Sequence, residues 1–179
     1  MCTDYRKVNC VTKIDSFPLP GIDDCIDKIG NARYNNIFDP LKGLWKIPLR
    51  ERAKDISAVV TPDGIYQYTL EPFGMKDSPR AFQRLLNMIT FGIYNSYAYI
   101  DDVIIYNDTW KDHLARIRKL FERLNDASLT NILSKSEFCR AYVTFLGHIV
   151  GHFQVKSIDA KVKTVSDFPV PVSKKQLKR

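Results

Sequence analysis

Long apolar runs are missing from this sequence. None reaches the roughly 18 to 20 residues that a bilayer-spanning helix requires, so nothing here reads as a membrane segment. The opening residues, Met1-Cys2-Thr3-Asp4-Tyr5-Arg6, lack the charged-then-apolar layout of a signal peptide. Cysteine is scarce. The four thiols, at 2, 10, 25 and 139, form no CxxC pair and no regular framework. That argues against a disulfide scaffold and for reduced, intracellular thiols. Repeats and low-complexity stretches are absent too, so one continuous fold is expected.

What is present is a chain of 179 residues, one domain's worth, with an ordinary 45% hydrophobic and 26% charged share. Its net charge of +7 favours a polyanionic partner. The basic residues thicken over 111–123 and again over 161–179, which ends Lys174-Lys175-Gln176-Leu177-Lys178-Arg179. That tail reads either as a solvated end or as a nucleic-acid contact.

Pro18 and Pro20 punctuate a loop before a helix expected over 21–29, where Ile22, Cys25, Ile26 and Ile29 recur at helical spacing and Gly30 supplies a stop. Residues 33–39 predict a strand ending on a carboxylate. Ser57–Thr61 and Ile65–Leu70 bracket Pro62-Asp63-Gly64, the turn chemistry of a hairpin. Ser78 before Pro79 reads as cap then first-turn proline for a helix over 79–92. Tyr97–Ile100 and Val103–Tyr106 form a second hairpin with Asp101-Asp102 at its tip. A helix over 110–126 carries the stripe Leu114, Ile117, Phe121 and Leu124. Strand and turn follow over Tyr142–Val150, then a weak helix over 158–168 that Pro169 and Pro171 break. Hairpins interspersed with helices argue for an α+β fold, helices packed on an antiparallel sheet.

Asp39 follows Ile37-Phe38, and Asp101-Asp102 follow Tyr99-Ile100. Acids beside apolar strand residues are expensive unless a cation or water satisfies them, and three converging carboxylates would repel one another. A divalent metal is the usual relief, and oxygen-only ligation favours Mg²⁺ or Mn²⁺. Paired ions of that kind catalyse in-line phosphoryl transfer. Strand alternation favours Asp101 as the direct partner of Asp39, with Asp102 brought in by the tight turn. Paired aspartates at a hairpin tip are also ordinary turn residues, and Asp23-Asp24 read as acids favoured by a helix start.

Taken in order, the motifs become specific. Asp4-Tyr5-Arg6-Lys7-Val8-Asn9, Thr12-Lys13 and Phe17-Pro18-Leu19-Pro20 open the series, followed by Phe38-Asp39 with Gly43, Trp45, Ile47 and Pro48. Thr61-Pro62-Asp63-Gly64, Pro72-Phe73-Gly74-Met75-Lys76, Ser78-Pro79 and Phe82-Gln83-Arg84 come next. Tyr99-Ile100-Asp101-Asp102-Val103, His113-Leu114, Lys135 with Glu137-Phe138, and Phe145-Leu146-Gly147-His148 complete it. This ordered set resembles the reverse transcriptase of gypsy-type long-terminal-repeat retrotransposons, within a Pol polyprotein.

The resemblance implies a fingers-and-palm fold and an RNA-directed DNA polymerase that adds deoxynucleotides to a primer 3′-hydroxyl. It implies two Mg²⁺ ions on Asp39, Asp101 and Asp102, with the Pro40 carbonyl assisting and Mn²⁺ as a substitute. Lys42 and Gly43 would cradle the triphosphate through their amides, with Leu44, Phe73 and Gly74 lining the nucleotide pocket. Arg6, Gln83 and Arg84 would lie near the template, and Phe145, Leu146, Gly147 and His148 would grip the primer through backbone and ring contacts. Lys135 would protonate the departing pyrophosphate. The implied partners are an RNA or DNA template with primer, deoxynucleoside triphosphates and the rest of the polyprotein, in the cytoplasm or a particle.

Several positions depart from the family pattern. Leu44 stands where an aromatic ring usually excludes a 2′-hydroxyl, which implies weaker rejection of ribonucleotides. Pro40 and Leu41 replace apolar and basic residues, and Asp77 is acidic where a neutral residue is usual. Residues 1–157 are expected to be fingers and palm truncated at the N-terminus, without a fingers arginine, and 158–179 to begin the connection to an absent thumb and ribonuclease H. Those departures keep an inactive retroelement relic, binding nucleic acid weakly, as the alternative; a metal-dependent nuclease using the same acids is a third reading.

Overall fold

The computed structural model of the chain describes residues 3–18, 21–41, 46–152 and 154–157. The expectations placed on Lys42, Gly43 and Leu44, and on the helix and connection over 158–179, lie outside the described residues.

Two helices, α1 (Arg6–Val11) and α2 (Ile22–Gly30), precede strands β1 (Tyr34–Phe38) and β2 (Pro40–Leu41). Helix α3 (Glu51–Ile56), the hairpin β3 (Val59–Thr61) and β4 (Gly64–Tyr66), and α4 (Ser78–Thr90) come next. A second hairpin, β5 (Ser96–Tyr99) and β6 (Asp102–Asn107), leads into α5 (Trp110–Asp126). The chain then runs through β7 (Thr130–Asn131), a 3-10 turn Leu133–Lys135, β8 (Glu137–Arg140), β9 (Val143–Phe145), β10 (His148–Gly151) and β11 (Gln154–Ser157).

The central sheet is antiparallel, in the order β5-β6-β1-β8, and β9, β10 and β11 form a second sheet. Alternation along β1 and β6 assigns each face its own core. Phe38, Val103 and Ile105 point to one side, where Phe82, Leu86 and Ile89 of α4 and Ile117, Leu120 and Leu124 of α5 cover them. Ile37, Ile104 and Tyr106 point to the other, against Cys25, Ile26 and Ile29 of α2 and Val143, Phe145 and Val150. Each fully buried side chain of this size contributes about 1.5 to 3 kcal/mol. Gly151, at φ 149°, shows how tightly the second sheet is folded: a Cβ there would collide with the Ala141 carbonyl oxygen.

Two sequence expectations change in detail. On α5 the inner stripe is His113, Ile117, Leu120 and Leu124, whereas Leu114 and Phe121 remain 45% and 37% exposed. The helix is rotated because His113 can enter the core with both ring nitrogens engaged. Ser78 does not cap α4 either. Asp77 holds the cap position, and the Ser78 hydroxyl donates to Glu71 Oε1 at 2.7 Å.

Candidate active site

Strand β1 ends at Phe38, paired with Val103, so Asp39 emerges beside Asp102 at the same end of the central sheet. By alternation both carboxylates belong to the face that carries Ile37 and Ile104. Asp102 is half-buried and Asp101, at the turn, is exposed. The register thus makes Asp102 the closer partner of Asp39, reversing the emphasis read from the sequence. Burial, then the negative charges of Asp39 and Asp101, push the Asp102 carboxyl above its ordinary value of 3.8, while Lys135 pulls it back. Lys135 reaches in from the 3-10 turn, its Nζ 3.1 Å from Asp39 Oδ2.

The hairpin that carries the acids has a strained tip. Tyr99 pairs with Asp102, which leaves Ile100 and Asp101 as a two-residue turn. Ile100 has φ 51°. Such a turn ordinarily places glycine at that position, and a β-branched residue there is an outlier that neighbours must hold in place.

Gln83 holds it. Its Oε1 accepts the Ile100 N–H at 2.6 Å while its Nε2 donates to the Ala98 carbonyl at 2.7 Å and to Asn87 Oδ1 at 2.8 Å. The residue is fully buried, so it supports the acid-bearing turn from below and presents no side chain to a template strand.

Other expected contacts are also redirected. Arg84 is ion-paired with Asp15 and lies 5.1 Å over the Phe17 ring, tying the N-terminal segment to α4. Asp77, the unusual acid, accepts the Asp15 backbone N–H at 3.1 Å and serves the same junction. Arg6 is exposed and paired with Asp4 at 2.6 Å. Phe73 and Gly74 are exposed on the segment before α4, and the Gly74 carbonyl accepts from Asn9 Nδ2 at 2.7 Å.

Phe145 is fully buried, so its ring packs the core and cannot meet a primer. Leu146 and Gly147, at φ 50° and 82°, form the two-residue turn before the half-buried His148. Both central residues with positive φ make this the primed hairpin turn that suits twisted strands.

The basic run on α5 is largely committed to structure. Arg116 donates to the Tyr94 carbonyl, Lys119 to that of Gly92, and Arg123 to those of Ile89 and Phe91. Cations spaced along one helix thereby satisfy carbonyls in the last turn of α4 and in the loop that follows it. A cavity of about 640 Å³ lies between α1, the 46–50 segment and α4, and none of the three acids lines it.

For a hard divalent ion, the donor chemistry fits. Three carboxylates share one sheet end, and Asp102, raised by burial first and by Asp39 and Asp101 second, is partly withdrawn from water. Among the described residues, no three such groups converge into a ready-made metal cage. No described helix is long and apolar enough to cross a membrane.

Residues 1–150 match the family model of the reverse transcriptase (RNA-dependent DNA polymerase). The retrovirus-related Pol polyprotein of transposon 297 from Drosophila melanogaster is 36% identical over 177 residues, 98% of this chain and 17% of that protein. That of transposon gypsy, from the same organism, is 31% identical over 94% of this chain and 16% of that protein. The chain therefore spans less than a fifth of the length of these Drosophila polyproteins. Among solved structures, a foamy viral protease-reverse transcriptase in complex with double-stranded DNA superposes with a TM-score of 0.86 at 23% identity, over 98% of this chain and 31% of that one. The foamy viral protease-reverse transcriptase with RNA/DNA hybrid gives 0.79 at 24% identity, over 98% of this chain and 24% of that one. These two likenesses bear on the fold.

Proposed function

This chain belongs to the reverse transcriptase (RNA-dependent DNA polymerase) family, and on that premise we propose that it is the fingers-and-palm portion of a retrotransposon Pol polyprotein. It copies an RNA or DNA template by adding deoxynucleotides to a primer 3′-hydroxyl, in the cytoplasm or in a particle assembled there. The observation that carries this reading is the strand register that brings Asp39 and Asp102 to one end of the central sheet, with Asp101 at the adjoining turn and Lys135 against Asp39.

Asp39, Asp101 and Asp102, with the Pro40 carbonyl, would hold two Mg²⁺ ions, which supply activation of the attacking hydroxyl and stabilisation of the leaving oxygens. The chain's own groups do the rest. Lys135, whose Nζ lies 3.1 Å from Asp39 Oδ2, would give a proton to departing pyrophosphate. The exposed Phe73 and Gly74 would flank the nucleotide, and the family motif assigns Lys42 and Gly43 to its triphosphate and Leu44 to its sugar. Arg6 would contact the template. Backbone atoms of Leu146 and Gly147, together with His148, hold the primer end. Gln83 and Arg84 act indirectly, by fixing the acid-bearing turn and the N-terminal segment.

Primer extension on an RNA template with Mg²⁺ tests this, beside Asp101→Asn, which keeps the shape and removes the charge. Extension by the parent chain that the substitution abolishes is the expected result. A folded parent chain that extends nothing would favour the alternative, an inactive relic that only binds nucleic acid.

A further inference from the structure

His113 is fully buried on α5, and the polymerase reading gives it no task. Its hydrogen bonds can be assigned without ambiguity. The Cys139 backbone N–H can only donate, and it meets Asn36 Oδ1 at 2.6 Å. The same oxygen lies 2.8 Å from His113 Nε2, which must therefore carry the proton and donate. His113 Nδ1 is then an acceptor, and Asn107 presents its Nδ2 there at 3.2 Å. One side-chain oxygen thus ties α5, β1 and β8 together inside the core.

The reason β8 needs this oxygen lies in its register. Asn35 faces Arg140 and Ile37 faces Glu137, so β8 carries an extra residue between those pairs. Cys139 sits in the resulting bulge with φ 50°. Asn36 supplies the acceptor for its N–H, while Asn35 Nδ2 reaches the Arg140 and Ala141 carbonyls at 3.4 Å each. The turn that bears Lys135 directly precedes β8, and its other end is held by the Ile132 N–H on the Asp39 carbonyl at 2.9 Å. A slip of β8 by one residue shifts it about 3.3 Å along the strand and reverses its faces. That is enough to separate Lys135 from Asp39.

We propose that Asn36, held by His113, is a positioning residue for Lys135: it pins the bulged register of β8 and so delivers the lysine to Asp39. The inference rests on the polymerase reading for the purpose of Lys135, but its test does not. Lysines are reductively methylated with ¹³C and followed by NMR in the whole chain, without metal or nucleotide. The Lys135 signal is identified by its loss in Lys135→Arg, and its Asp39-dependent position by Asp39→Asn.

Asn36→Leu keeps the shape and removes the acceptor. It is expected to move the Lys135 signal to the Asp39→Asn position and to speed exchange of the Cys139 amide about tenfold or more. Asn36→Asp, which retains an acceptor, is expected to hold the signal in place. His113→Phe leaves Asn36 present but unsupported, is expected to shift the signal as Asn36→Leu does, and serves if Asn36→Leu does not fold. A folded Asn36→Leu or His113→Phe chain with the Lys135 signal unmoved overturns the proposal. So does a parent signal indifferent to Asp39→Asn. Failure here leaves primer extension as a separate question, because no step of polymerisation is measured.

Discussion

Two hairpins in this chain are built alike and supported in opposite ways. Strands β3 and β4 pair Thr61 with Gly64 across Pro62-Asp63, and β5 and β6 pair Tyr99 with Asp102 across Ile100-Asp101. The first has favourable turn chemistry. Glycine takes the φ of 144°, and the Thr61 hydroxyl donates to the Gly64 carbonyl at 3.0 Å. Yet it has almost no core: Val60, Ile65 and Tyr66 are 78%, 73% and 57% exposed. The second has poor turn chemistry, a β-branched residue at positive φ followed by two adjacent acids, and a complete core. Val103, Ile104 and Ile105 are fully buried, and Gln83 braces the tip. Local preference and tertiary support have traded places. Repelling charges and a strained turn persist only where packing over-determines them, which is where chemistry is expected.

The contrast breaks most visibly at matched isoleucines. Ile104→Ala is expected to cost about 2 to 5 kcal/mol in denaturant unfolding, whereas Ile65→Ala should stay within about 0.5 kcal/mol. Equal losses would mean that the first hairpin is packed after all.

Next comes the brace. Gln83→Leu leaves the Ile100 N–H without its acceptor, at a cost of about 1 to 3 kcal/mol. It should also lower primer extension more than it lowers template binding. Loss of stability with extension intact would reduce Gln83 to an ordinary core residue.

The turns themselves give smaller, opposite effects. Gly64→Ala forces a side chain to φ 144° and should cost about 1 kcal/mol or more. Ile100→Gly should change stability by less than about 1 kcal/mol, since relief at φ 51° is offset by the freedom that glycine loses on folding. Melting curves of the two variants decide it.

The smallest effect is a tilt against pH. The folded chain keeps a proton on Asp102 at pH values where the unfolded chain has released it. Stability from this source is full below 3.8 and is lost as pH rises through the raised folded value. Asp102→Asn should therefore raise the melting temperature at neutral pH, with the gain shrinking as pH falls toward 3.8. His113 tilts the other way. Burial holds its imidazole below 6.5, so stability is lost as pH falls beneath that value. Thermal melts across the acid range separate the two slopes.

Much of the frame was legible in residue order. Periodicity and turn chemistry located α2, α4, α5 and both hairpins to within a few residues, because each buries an apolar face or carries a turn that only certain residues form. Helices α1 and α3 were missed for the same reason, since each has six residues and none is buried. The rotation of α5 escaped because a histidine does not count as apolar until its partners are known.

In the site, Asp39, Asp101 and Asp102 were readable as acids beside apolar strands, whereas the role of Gln83 was not. A glutamine within an amphipathic helix looks like surface, and only its neighbours Phe82 and Leu86, both buried, hint otherwise. Phe145 was assigned to a primer contact by its motif. The alternation that puts Val143 and Phe145 on one buried face was the signal that opposed it.

As proposed, the three acids would bind divalent ions as one unit, with the braced turn holding Asp101 and Asp102 in place. Titration of the chain with Mn²⁺, followed by electron paramagnetic resonance of the free ion, tests it without requiring turnover. The expected result is saturable uptake that Mg²⁺ competes away and that Asp39→Asn reduces at least about tenfold, a loss of roughly 1.4 kcal/mol. A folded parent chain that takes up no Mn²⁺, or an Asp39→Asn chain that takes it up equally well, would contradict the account.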